Sequence, residues 1–244
     1  MIKQYISFIF YPKAALWIVT AFIGFTIIGT LTHELGHIAF AKAQGFSTEL
    51  HYGSMNYYNN SNQSELQSIY DRNSEAIQAT IDFPEKERWD TLNKENAKKS
   101  FWVTLGGPLQ TILTGTIGLF FLYRRQKRIQ EYGMKLLDWV LVFLTLFWLR
   151  ETTNVVTGFL KAMVNGSFNP FGGHSDELRL ARHLDWWEGS ISLPLALIAI
   201  CIAIYTIFKI LPKPIRLTFI SAGFVGGVLG YMIWLVWVGP IIMP

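Results

Sequence analysis

Apolar residues gather in five blocks, at 14–43, 101–123, 136–164, 191–211 and 215–243. Each reaches the roughly 20 residues that a helix needs to cross a hydrocarbon layer about 30 Å thick. The pattern predicts an all-α polytopic membrane protein with about five transmembrane helices, a single membrane-embedded unit over 1–244. Between the first two blocks, 46–100 is a polar insert outside the bilayer. Its start, STELHYGSMNYY, mixes polar, aromatic and methionine positions in a way that suits short strands, while 65–99 is helical in composition. The second informative connection is 165–189, NGSFNPFGGHSDELRLARHLDWWEG. The start, MIKQYISFIFYPKAALW, has no small-residue cleavage site, so the first span is expected to stay in place.

Composition agrees with this reading. The chain is 51% hydrophobic and 15% aromatic, and its net charge of +4 comes from basic residues near the ends of apolar blocks. That placement serves membrane topology and leaves no basic face for nucleic acid. The lone cysteine, Cys201, excludes an internal disulfide. Lys3 and Lys13, the group Arg124, Arg125, Lys127, Arg128 and Lys135, and Lys209, Lys213 and Arg216 all fall on one side of a five-span arrangement. That side, with the N-terminus, is expected to be cytoplasmic, and the insert and the 165–189 connection lie opposite.

The first block ends in TLTHELGHIAFAKAQG at 30–45, after a run, 14–29, that carries no charge. Ionisable side chains at membrane depth cost several kcal/mol on most scales, so they imply a partner, an ion or a reaction. His33 and His37, one helical turn apart, project from one face as a pair of zinc ligands, and Glu34 lies beside them as a general base for a metal-activated water. A polar helix face packed on other polar groups is the plain alternative, and the desolvation of three ionisable groups weighs against it. Catalytic zinc takes a third protein ligand. Candidates are His51, Glu151, His174, Asp176, Glu177, His183, Asp185 and Glu188. The 165–189 connection is on the same side as the histidines, which favours Asp176 or His174, although Asp176 could also be a helix cap or first-turn acid.

Arg150, Glu151 and Asn154 interrupt the third span. They can support the metal and its substrate, with Asn154 donating to a scissile carbonyl and Arg150 and Glu151 setting local charge, or they can serve structure alone. Gly106, Gly107 and Pro108 either open room for an extended substrate or permit close helix contact. Trp186 and Trp187 mark the membrane interface, and RRQKR at 124–128 anchors topology.

HELGH at the end of a first span, GGPLQTILTG in a second, and an aspartate after a Pro/Gly turn beyond the third resemble the site-2 protease family of intramembrane zinc metallopeptidases. GGHSDELRLARHLDWWEGSISLPLAL is similar to a segment of a bacterial subgroup of that family. The resemblance implies His33, His37 and Asp176 as zinc ligands, with His174 as the alternative third ligand, and Glu34 as catalytic base. It also implies a membrane protein or peptide as substrate and a place in a bacterial inner membrane. The competing expectation is a non-proteolytic metal-binding membrane protein, either a pseudoprotease scaffold or a transporter component. A transporter should carry ionisable residues along a path through several spans, whereas here they gather at one end.

Overall fold

A computed structural model describes residues 7, 9–58, 62–166, 171, 173 and 175–244. The order is α1 (Pro12–Ala43), β1 (Ser47–Leu50), β2 (Met55–Tyr58), α2 (Gln63–Gln78), α3 (Lys86–Tyr132), α4 (Leu136–Thr145), α5 (Leu149–Val164), α6 (Asp176–His183), α7 (Ser192–Tyr205), α8 (Arg216–Tyr231) and α9 (Gly239–Ile242). Among the described residues, five continuous helical stretches are long and apolar enough to cross a membrane: Pro12–Ala43, Lys86–Tyr132, Leu136–Val164, Ser192–Ile210 and Lys213–Ile242. Each overlaps one of the five apolar blocks. A 3₁₀ turn at Leu146–Trp148 joins α4 to α5, and π-helical turns extend α7 over Thr206–Ile210 and α8 over Met232–Val238.

Local chemistry sets the ends of α1. Pro12 opens it, where a missing N–H costs nothing. Gly45 closes it at φ +81°, with Gly45 N–H bonded to Lys42 O and Phe46 N–H to Ala41 O, a Schellman ending. The chain turns directly into the antiparallel hairpin of β1 and β2, paired from Ser47 with Tyr58 to Leu50 with Met55. These are the short strands expected at the head of the insert. Phe46, Ala41 and Val103 bury one edge of the hairpin against the helices.

The helical part of the insert, expected over 65–99, is formed by α2 and the start of α3. α3 does not begin at residue 101 but runs unbroken for 47 residues, about 70 Å at 1.5 Å per residue and more than twice the hydrocarbon thickness. Helix formers such as Lys, Glu and Ala in KERWDTLNKENAKKS let the helix project beyond the apolar segment.

Helices approach closely where side chains are small. A methyl group at Gly36 would lie 2.5 Å from the Gly106 carbonyl oxygen, so α1 and α3 touch backbone to backbone. On the other side of α1, one at Gly226 would lie 3.0 Å from the Val19 backbone, and Gly118 of α3 meets α4 at Thr145. Phe22, Phe143 and Phe219 fill the space between α1, α4 and α8, with ring centroids 5.1–6.3 Å apart.

At the end of the bundle away from the histidines, Asp138 is fully buried. It accepts from Arg125 Nε at 2.6 Å, from Arg128 Nη2 and from the Lys135 N–H at 2.7 Å, which caps α4. The RRQKR cluster therefore has an inward face as well as an anchoring one. Asp138→Ala would strand two guanidinium groups and a backbone donor. We expect it to destabilise the fold by about 2–3 kcal/mol, read as a lower unfolding midpoint in detergent with metal content unchanged.

Candidate metal centre

His33 and His37 lie in the last third of α1, and both are buried, as is Glu34 between them. α3 supplies their outer partners through a stripe of every fourth residue. His33 Nδ1 is 2.9 Å from Thr111 Oγ1, and His37 Nδ1 is 2.7 Å from the Val103 carbonyl oxygen. That carbonyl can only accept, so His37 carries its proton on Nδ1 and presents the Nε2 lone pair. The Gly107 N–H, 3.2 Å from the same Nδ1, is the weaker contact. With Nδ1 of His33 donating to Thr111, both Nε2 atoms are turned to one point, the tautomer that metal-bound histidines take when the other ring nitrogen is held.

Asp176 arrives from the first turn of α6. Its neighbour Ser175 is the cap, accepting from the Leu178 N–H, so the aspartate side chain is not used to close the helix. Instead Oδ2 lies 3.0 Å from His33 Nε2 and 3.2 Å from His37 Nε2, and the two Nε2 atoms are 3.1 Å apart.

This group of three can hold a metal ion, its ligand atoms all lying within 4.8 Å of one another. Two tests support the fit. Tetrahedral zinc with ligands at about 2.0–2.1 Å places them about 3.3 Å from each other, close to the separations found. Gly107 faces the ligand atoms: a methyl group there would come within 2.5 Å of His33 Nε2 and closer still to His37 Nε2. The space beside the three donors is thus kept clear by the absence of a side chain.

The other expected residues are placed as follows. Arg150 is within electrostatic reach of His33 and Glu34. Glu151 is almost wholly buried, beside Glu177 and within reach of Arg150 and Asp176. Asn154 directs its amide not at the histidines but at Glu177, donating at 3.3 Å to both carboxylate oxygens and tying α5 to α6. His174 lies outside the described residues. Of the remaining ligand candidates, His51 is on the hairpin, bonded to the Pro244 carbonyl and Asn56. Glu188 pairs with Arg182, and His183 stacks edge-on with Phe101. Asp185 belongs to the turn after α6 and is not in the group. Sequence reasoning missed Val103 and Thr111 as imidazole partners. Their spacing with Gly107, four residues each way, was the available signal.

Fold and site together define an all-α protein of membrane type, with a small sheet and a two-histidine, one-aspartate group able to hold a metal. In comparisons with family models, curated proteins and solved structures, the chain matches none.

Proposed function

We propose that this chain is an intramembrane zinc metalloprotease that hydrolyses peptide bonds of membrane-embedded or membrane-adjacent proteins, as the resemblance of its motifs to the site-2 proteases implies. The observation that carries the reading is the convergence of Asp176 on His33 and His37, from an element 143 residues away in sequence. Zinc held there would supply a Lewis acid for the scissile carbonyl and lower the pKa of a bound water.

The chain's own residues do the rest. Thr111 and the Val103 carbonyl fix the two rings so that both Nε2 atoms face one point, where they would hold the metal. Glu34, next to the first ligand and within electrostatic reach of His37 and Arg150, accepts the proton from the attacking water and returns it to the leaving amine. Arg150 keeps the acidic neighbourhood from becoming too negative. A helical substrate hides its carbonyls in its own hydrogen bonds, so the segment to be cut must first unwind. In this reading the protein resides in a bacterial inner membrane with its N-terminus in the cytosol and the metal site near the opposite face, an orientation that reporter fusions at either terminus would check.

The test is zinc content of the purified protein together with cleavage of membrane-peptide substrates. Asp176→Ala is expected to weaken zinc binding at least tenfold and abolish cleavage, and His174→Ala to leave both near wild type. Stoichiometric zinc in Asp176→Ala would remove the aspartate from the ligand set.

A further inference from the structure

At the bundle end opposite the metal group, α3 and α7 leave a cleft of about 580 Å³, lined on α3 by Thr116, Phe120 and Tyr123 and on α7 by Ile198, Cys201 and Tyr205. Most of the lining is apolar, and it stands exposed on the outside of the bundle. Just past it the character changes abruptly. Lys127, one turn beyond Tyr123, and Lys209, one turn beyond Tyr205, continue the two walls, and both are exposed. Arg124 folds back along the same rim with its guanidinium 5.6 Å from the centre of the Phe120 ring. None of the three forms an ion pair with a described residue, whereas their neighbours Arg125 and Arg128 are committed to Asp138. One acid, Glu131, follows a further turn along α3 and is exposed. Tyr205 Oη donates to Gln126 Oε1 at 2.8 Å, and Gln126 reaches the Lys209 carbonyl, which fastens the two helices together at this end.

We propose that this cleft is a binding site for an anionic phospholipid, with an acyl chain between α3 and α7 and the phosphate among Arg124, Lys127 and Lys209. Length supports a lipid over a protein helix. From Thr116 to Lys127 is about 16 Å along the helix axis, half of the roughly 30 Å core and therefore one leaflet deep, where a partner helix would need the full thickness. Charge supports an anionic headgroup over a zwitterionic one, because basic pockets between spans bind such headgroups, each cation adding about fivefold in affinity. Neither argument depends on the metal group or its chemistry.

The experiment is native mass spectrometry of the full chain released from detergent doped equally with phosphatidylglycerol and phosphatidylcholine. Wild type should retain one phosphatidylglycerol per chain in preference to phosphatidylcholine. The double variant Lys127→Gln, Lys209→Gln should lose that preference by about 30-fold, and Lys127→Arg, Lys209→Arg should keep it. Cys201→Trp, which fills the cleft, should reduce retention of both lipids. Equal retention of the two lipids by wild type, an unaltered preference in the glutamine variant, or a mass of two chains in place of a lipid adduct would each overturn the proposal.

Discussion

Glu34→Gln is expected to bind zinc as wild type does and to lose between about a hundredfold and ten-thousandfold in kcat/KM, the range for removal of a general base. The substitution keeps shape and hydrogen-bonding capacity and removes basicity. None of the described hydrogen bonds of His33 or His37 involves Glu34; the rings are held by Thr111 and Val103. Metal content and turnover should therefore separate in this variant, as they cannot in a ligand variant. Zinc analysis and single-turnover cleavage on one preparation would read both. A glutamine variant that cleaves at the wild-type rate would show that the proton goes elsewhere.

Gly107→Ala should be nearly as damaging for a different reason. Its new methyl would stand within 2.5 Å of His33 Nε2 and closer to His37 Nε2, where the donors converge, yet it changes no ligand and adds no charge. In a helix interior alanine is favoured over glycine by up to about 1 kcal/mol, so global helicity should survive. We expect at least a tenfold loss of zinc affinity, with cleavage falling in parallel and circular dichroism unchanged. The neighbouring Gly106→Ala is the contrast, because its methyl meets the backbone of Gly36 and the ring of Phe40. That change should lower the unfolding midpoint by prising α1 from α3. Full zinc occupancy in Gly107→Ala would mean that the ion sits away from the glycine face.

The spans were legible because membrane depth imposes a minimum apolar length, and the paired histidines because a 3.6-residue period places His33 and His37 on one face. Where the sequence fell short, the missing information was long-range or lay outside the apolar rule. The start of α3 at Lys86 was hidden because charged helix formers mark the end of a bilayer segment, not the end of a helix. Nothing in the sequence pairs Asp138 with a partner, and only the return of α3 past α4 shows it held by Arg125 and Arg128. Asn154 could be placed near the site by its span, but its engagement with Glu177, 23 residues on, depends on how α6 docks. The π-helical turns at Thr206–Ile210 and Met232–Val238 had no signature in composition. For Asp176 the sequence left a ligand and a cap in competition. Ser175 takes the cap, and the aspartate is left to face the rings.

Because α6 reaches the two imidazoles through one carboxylate, an ion at that point would act as a clasp across 143 residues of chain. Folding and occupancy would then be thermodynamically linked, each tenfold of free zinc above its dissociation constant adding about 1.4 kcal/mol to the closed form. Chelation should consequently speed amide exchange in α6 while leaving the exchange of α1 slow. The short amphipathic segment, held otherwise by Asn154 and by its own buried leucines, would become the part of the molecule that reports the presence of metal.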